Sequence, residues 1–150
     1  MSRIDFYHLK KQSLDDVLPI LLQKAYAAGK RVLLVTTADT VESLNALLWI
    51  YSEDSFLPHG SKKDGFADEQ PIFITADEDN ANAAEFLFLV NQREYDCDKL
   101  RKFVRVFNIF DGNDEAALEQ ARRLWKTYKD AGFDVCYWQQ TAGGKWEQKA

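Results

Sequence analysis

The feature that most constrains the fold is an uninterrupted apolar segment, Val32-Leu33-Leu34-Val35. A strand with one exposed face alternates apolar and polar residues, whereas a strand without this alternation is buried on both faces. A helical pattern precedes the segment and ends at Gly29, and a second helical pattern follows it over residues 40–51. The segment therefore predicts a strand in a largely parallel sheet that helices cover on both faces.

The rest of the chain continues this alternation of strands and helices. Helices are predicted from Ser13, which has Asp16 three residues later as a start signal, to Gly29, and over residues 40–51 and 113–131. Pro19 is placed near the first turn of its helix, because a later position would break the helix. Strands are predicted at residues 4–9, 31–37, 71–75, 85–91, 103–110 and 133–139. Residues 81–89 also permit a helix, whereas residues 52–70 and 145–150 are predicted as a polar loop and a polar tail.

These elements predict one domain over residues 1–150, an α/β sandwich with a largely parallel central sheet. A net charge of −5 makes free duplex DNA an improbable main ligand, since proteins that bind it usually have a basic balance. Cys97 and Cys136 form no CxxC pair, and no signal peptide precedes the first strand, so reduced thiols and a cytoplasmic location are expected. No apolar segment is long enough to span a membrane.

A search for catalytic and cofactor motifs finds none. Gly29-Lys30 ends a helix and leads into a strand, whereas a phosphate-binding loop follows a strand and opens a helix. His8 on the first strand is expected to be a structural or edge residue, and His59 has no partner visible in the sequence. The acidic run Asp77-Glu78-Asp79 is interpreted as a solvated surface. We therefore expect no cofactor, no metal and no catalytic residue.

The last long helix has a distinctive surface. Arg122, Trp125 and Lys126 are spaced i, i+3 and i+4 and so lie on one face, with Lys129 one turn further on. Two cations beside a flat ring could hold a carboxylate that is attached to an apolar side chain. They could equally be the basic end of a helix that complements the helix dipole, with the ring half buried. The residues alone favour the second interpretation.

A second aromatic cluster contains Trp49 and, in the following loop, Phe56 and Pro58. Either the loop folds back and buries Phe56, or the two aromatic residues form an exposed apolar patch for a partner. The sequence alone favours burial.

Both clusters belong to a set of segments that resembles the chi subunit of bacterial DNA polymerase III, in that family's order and spacing and over most of the chain. The matching segments are Asp5-Phe6-Tyr7-His8-Leu9, Gly29-Lys30-Arg31-Val32-Leu33, Leu48-Trp49, Ser55-Phe56-Leu57-Pro58-His59, and Ala121-Arg122 through Trp125-Lys126 to Ala131-Gly132-Phe133. Each segment is weak alone, but the ordered set is fairly specific.

The resemblance implies a Rossmann-like fold without a nucleotide site and a non-catalytic accessory role in the clamp loader during DNA replication. It implies that Arg122, Trp125 and Lys126, with Lys129 nearby, bind the acidic C-terminal tail of single-stranded DNA-binding protein. It further implies that Trp49, Phe56 and Pro58 contact the psi subunit, the clamp loader or a helicase, so that nucleic acid is reached only indirectly.

Two other functions remain open at this point. An α/β crevice could hold a nucleotide or phosphate ligand in a small enzyme. Basic and aromatic residues could also bind single-stranded DNA directly, although the net acidity disfavours this.

Overall fold

The structure is a computed structural model that describes residues 2–10, 12–50, 58–90, 95–143 and 145–149. Within these ranges the strands are β1 (Arg3–Leu9), β2 (Val32–Val35), β3 (Gly60–Ser61), β4 (Ile72–Thr75), β5 (Phe86–Val90), β6 (Arg105–Asp111), β7 (Asp134–Gln140) and β8 (Trp146–Gln148). The helices of the same ranges are α1 (Leu14–Ala27), α2 (Val41–Ile50), α3 (Cys97–Leu100) and α4 (Glu115–Asp130).

All eight strands join one sheet in the order β3-β4-β2-β5-β6-β1-β7-β8. Every neighbouring pair is parallel except β7 and β8, which are antiparallel. The predicted α/β sandwich with a largely parallel sheet is confirmed. β1 lies between β6 and β7, so His8 is on an interior strand and the expectation that it could be an edge residue was wrong.

Helices cover both faces of the sheet, as the buried apolar segment of β2 required. On one face α1 and α2 pack Leu18, Leu22 and Leu48 against Val32 and Leu34. On the other face α3 and α4 form a second cluster with the sheet. The sheet contributes Ile4, Phe6, Leu33 and Val35, and the helices contribute Leu100, Ala121, Leu124 and Tyr128. Alternate residues of β2 thus enter opposite layers, and all four are fully buried.

Helix α1 begins where its start signal predicted. Ser13 is the N-cap and forms a capping box with Asp16, and the helix ends at Ala27, two residues before Gly29. Pro19 is the sixth residue of the helix, just beyond its first turn, in agreement with the prediction. Proline lacks an N–H, so the Asp15 carbonyl has no helical partner four residues further on.

Short elements account for the other differences from the predicted pattern. Part of the predicted polar loop forms β3 and two 3₁₀ turns, Lys62–Asp64 and Ala67–Glu69. The predicted polar tail contains β8, which pairs with β7. Residues 86–90 are a strand and not the alternative helix, because they pair with β2 and β6 on either side. Helix α3 was not predicted, since a single turn has too few residues to show a helical period.

A buried carboxylate ties the first strand to its neighbours. Asp5 is fully buried and accepts hydrogen bonds from Arg3 Nε at 3.1 Å and from the Trp138 indole Nε1 at 3.0 Å. Arg105 on β6 donates to the other carboxylate oxygen at 2.7 Å and stacks over the Phe107 ring at 4.5 Å. One carboxylate thereby links β1, β6 and β7, the strands that support the site described next.

Candidate docking site

Helix α4 positions the cluster that the sequence singled out. The Asp114 side chain caps its start by accepting from the N–H groups of Ala116 and Ala117. At its end Gly132 takes φ +93 and donates to the Lys129 carbonyl, while the N–H of Phe133 reaches the Tyr128 carbonyl. This pair of bonds is a Schellman motif, and it turns the chain directly into β7. The helix is therefore fixed at both ends over the sheet.

Trp125 is half buried and rests on aromatic residues of the sheet. Its ring meets the Phe6 ring edge-on at 5.9 Å and the Tyr137 ring edge-on at 5.7 Å, measured between centroids. Lys129 Nζ lies 5.8 Å from the Trp125 centroid, within the range of a cation–π contact. The indole is thus held at a fixed angle with part of its surface open to solvent.

A cavity of about 370 Å³ opens beside this ring. Its lining consists of Arg122 and Trp125 from α4, His8 from β1, and Tyr137 and Gln139 from β7. Lys126 and Lys129 are exposed on the same face of α4 but do not line the cavity. The structure therefore brings together two of the four residues predicted on this helix and leaves the two lysines at its margin.

The floor of the cavity is neutral. His8 Nδ1 and Tyr137 Oη share a hydrogen bond of 2.7 Å. Burial is the main cause that lowers the pKa of His8 below 6.5, and the positive charges of Lys10 and Arg122 act in the same direction, against Asp111. Burial likewise raises the pKa of Tyr137 above 10.0, although Arg122 opposes this. Both side chains are consequently uncharged at neutral pH.

The margin of the cavity is positive. In the part of the chain that the structure describes, no carboxylate forms an ion pair with Arg122, Lys126 or Lys129. A neutral aromatic floor beside an unneutralised guanidinium suits an apolar side chain that has a carboxylate next to it. Trp125 is also half buried at a basic helix end, as expected if the cations complement the helix dipole. The same residues are therefore compatible with both a carboxylate site and a dipole-complementing helix end.

Gly112 determines how closely the chain approaches His8. A Cβ atom at Gly112 would lie 1.9 Å from both Cδ2 and Nε2 of the His8 ring and 2.7 Å from the Leu9 carbonyl oxygen. The Gly112 N–H donates to that same carbonyl at 2.8 Å, which holds the two segments together. Only glycine fits here, and the His8 ring is thereby pressed into the wall of the cavity.

The sequence reasoning missed His8, Tyr137 and Gln139 as members of this site. β1 and β7 are parallel neighbours in which His8 is paired with Gln139, and Phe6 is paired with Tyr137. Alternation along the last strand could have placed Tyr137 and Gln139 on one face, but the sequence could not show that this face lies beside His8 and beneath α4. That placement depends on pairing two strands from opposite ends of the chain.

The second predicted surface is described only in part. Trp49 at the end of α2 is 53% exposed, and its ring lies 4.6 Å from the His59 ring, while Pro58 is half buried. His59 itself is buried and its Nε2 is 3.0 Å from the Asn45 carbonyl oxygen. Phe56 lies outside the described residues. The end of α2 and residues 58–59 thus meet at the exposed Trp49 indole.

A hydrogen-bonded network holds residues 61–64 against α2. The Asp64 carboxylate accepts from the Ser61 N–H and from Asn45 Nδ2, both at 2.9 Å, and the Ser61 hydroxyl donates to Glu42 at 2.6 Å. The backbone hydrogen bond from Ser61 is the first cause that lowers the pKa of Asp64, followed by the bond from Asn45. The Trp49 ring therefore packs against a segment that hydrogen bonds fix to α2.

The acidic run that follows β4 takes part in contacts with neighbouring elements. In the acidic run that follows β4, Glu78 pairs with Lys99 at 3.4 Å, and its carbonyl accepts from the Tyr95 hydroxyl. Within the described ranges, no cluster of three or more His, Cys, Asp or Glu side chains could hold a metal ion. Over the same ranges, no helix is both long enough and apolar enough to cross a membrane.

Comparison with known proteins gives two findings. Residues 1–136 match the family model described as DNA polymerase III chi subunit, HolC. A protein of Rickettsia prowazekii (strain Madrid E), named probable DNA polymerase III subunit chi, is 32% identical over 109 residues. That match covers 71% of this chain and 66% of the relative, so the chain spans slightly less than two thirds of the relative's length.

Proposed function

The chain belongs to the DNA polymerase III chi subunit family, and from that membership we propose that it works by docking partner proteins and not by chemistry of its own. In this proposal it is an accessory subunit that links the clamp loader to single-stranded DNA-binding protein during replication. One surface grips the acidic C-terminal tail of that protein, and the other joins the polymerase assembly.

The cavity beside Trp125 is the observation that supports the first half of the proposal. The last residue of a protein tail presents a side chain and a free carboxylate on the same carbon. An apolar side chain can lie on the Trp125 and Tyr137 rings while Arg122 donates paired hydrogen bonds to the carboxylate. Lys126 and Lys129, at the margin, add positive charge around the carboxylate of the tail's last residue.

A titration with a fluorescent tail peptide tests this arrangement, and the geometry gives an order of effects. Arg122→Ala and Trp125→Ala should weaken binding by about tenfold or more, because each removes a wall of the cavity. Lys126→Ala should weaken it only about two- to fourfold, because an exposed ion pair contributes less than 1 kcal/mol. Binding by the parent should also weaken as salt rises.

Arg123→Ala is the matched control. It removes the same charge from an adjacent, exposed position that faces about 100° away around the helix. Equal affinities for the parent, Arg122→Ala and Lys126→Ala would show that the tail binds elsewhere or not at all.

The exposed indole of Trp49 supports the second half of the proposal. Large aromatic residues at the centre of an apolar patch commonly dominate the energy of protein interfaces. Trp49→Ala should reduce co-elution with the psi subunit, with the clamp loader or with a helicase, and should leave tail-peptide affinity unchanged. Ile20→Ala, which shortens an apolar side chain of similar exposure (49%) on α1, is the control. If Trp49→Ala co-elutes with all three partners as the parent does, this surface is not the second docking site.

A further inference from the structure

A second cavity lies at the carboxyl ends of β1 and β7, next to the one beside Trp125. Its volume is about 510 Å³, and its charged lining residues are Lys10, Glu147 and Lys149. Gln139 lines this cavity and also the cavity beside Trp125. The two cavities are therefore neighbours along β7.

Hydrogen bonds hold the walls of this second cavity in place. The Gln140 side chain is 2% exposed, and its Oε1 accepts from the backbone N–H groups of Lys10 and Gln12, each at 3.2 Å. Gln140 Nε2 donates to Gln12 Oε1 at 2.9 Å. The turn between β7 and β8 is closed by a bond of 2.7 Å from the Thr141 N–H to the Lys145 carbonyl. The bonds of Gln140 connect the end of β7 to the segment that follows β1 at the base of the cavity.

Positive charge continues from one cavity to the other. Lys10 is exposed, and no carboxylate of the described ranges pairs with it. Lys149 is paired with Glu147 at 2.7 Å, but both side chains are about half exposed, so the pair is accessible to a competing acid. Lys10 and Arg122 both lie near enough to His8 to disfavour its protonated form. Positive side chains therefore line both cavities, Arg122 the first and Lys10 and Lys149 the second.

We propose that the acidic residues upstream of the tail's end bind in this second cavity, with Lys10 and Lys149 as their partners. The inference rests on the proposed function, because it extends the same docking site along β7. The occupant is an acidic peptide in extended conformation. Because Gln139 lines both cavities, and residues of an extended chain are about 3.3 Å apart, a tail whose end lies in the first cavity reaches the second within a few residues.

The experiment compares two fluorescent peptides from the tail of single-stranded DNA-binding protein, a short form of about four residues and a long form of about ten. A third peptide replaces the upstream acids of the long form with their amides. We expect the long acidic form to bind about three- to tenfold more tightly than the other two, since each exposed charge pair contributes up to about 1 kcal/mol. Lys10→Gln should remove about threefold of that gain, and Lys10→Gln with Lys149→Gln most of it, while the affinity for the short form stays unchanged.

A substitution of opposite sign sharpens the test. Glu147→Gln removes the acid that competes for Lys149, so it should tighten binding of the long form by about twofold and leave the short form unaffected. Lys62→Gln, an exposed lysine just beyond β3 at the opposite edge of the sheet, is the control for net charge.

The outcomes separate this inference from the proposal beneath it. If the short and long forms bind equally to the parent and Lys10→Gln has no effect, the tail site ends at the first cavity and the inference is wrong. If neither form binds in a way that depends on Arg122, the proposed function itself fails. A long form that binds more tightly through Lys10, and loses this advantage when its acids become amides, would establish the extended site.

Discussion

Gly112→Ala should damage stability and docking together, because one Cβ atom would enter the space of the His8 ring. The new atom would lie 1.9 Å from two ring atoms, whereas ordinary contacts of a Cβ are 3.4–4 Å, so the ring or the backbone has to move by about 1.5 Å or more. The ring cannot yield freely, because it packs against Phe110 at 5.1 Å and is hydrogen-bonded to Tyr137 at 2.7 Å. The backbone cannot retreat without losing the bond from Gly112 to the Leu9 carbonyl.

The size of the effect follows from these contacts. Forcing extra volume into a packed site typically costs about 1–3 kcal/mol, and a lost backbone hydrogen bond adds about 1 kcal/mol. We therefore expect Gly112→Ala to lower the free energy of unfolding by about 2–3 kcal/mol, which corresponds to a fall in Tm of roughly 5–10 °C for a domain of this size. Because His8 lines the cavity beside Trp125, tail-peptide affinity should fall as well.

Urea unfolding of five proteins tests whether the clash with His8 causes the loss of stability: the parent, Gly112→Ala, Gly143→Ala, His8→Ala and the double variant of His8 and Gly112. Gly143→Ala is the matched control, since its Cβ would meet nothing closer than Thr141 Oγ1 at 3.8 Å and neither glycine has a positive φ. It should leave stability unchanged or raise it by less than about 1 kcal/mol. In a His8→Ala background, Gly112→Ala should cost at least about 1 kcal/mol less than in the parent, because the clashing ring is gone. An equal cost in both backgrounds, or no cost at all, would refute this account.

Three further outcomes are expected. Asp5→Asn should lower the free energy of unfolding by about 2–3 kcal/mol, less than the full cost of breaking a buried ion pair because both arginine partners are partly exposed, and urea unfolding measures it. Asp114→Ala should cost about 1 kcal/mol through the lost cap of α4, and a change within error in thermal unfolding would contradict it. The pKa of His8 is lowered in the folded protein, so the stability that its neutral form provides is complete above about pH 6.5 and is lost as the pH falls through the folded pKa. The parent should therefore lose more stability between about pH 7.5 and pH 5 than His8→Gln does, and parallel losses would show that His8 is not responsible.

Local pattern was enough to predict the large elements of the fold. The uniform apolar segment of β2 and the strongly amphipathic α4 each determine their own conformation and their buried face, so their positions agree with the structure. The elements that were missed are β3, α3 and β8, of two, four and three residues. Such short elements are stabilised by a neighbouring strand or helix, and they are too short to show a helical or strand period in the sequence.

The candidate site divides in the same way. Helical spacing placed Arg122 and Trp125 on one face, and both line the cavity. The same spacing placed Lys126 beside them, but distance from the sheet leaves it at the margin. His8 and Tyr137 complete the cavity through a contact across 129 positions of sequence, which spacing cannot indicate.

The short strands at the two ends of the sheet affect how this protein can meet others. An uncovered sheet edge offers a row of backbone groups to which any extended chain can add, and this leads both to aggregation and to partner binding by strand addition. In the described ranges the end strands are β3, with two residues, and β8, with three. Neither offers a template long enough for a stable added strand. The interior strands β1, β2, β5 and β6 are paired on both sides, so strand addition is confined to the short end strands and to the parts of β4 and β7 that these leave uncovered.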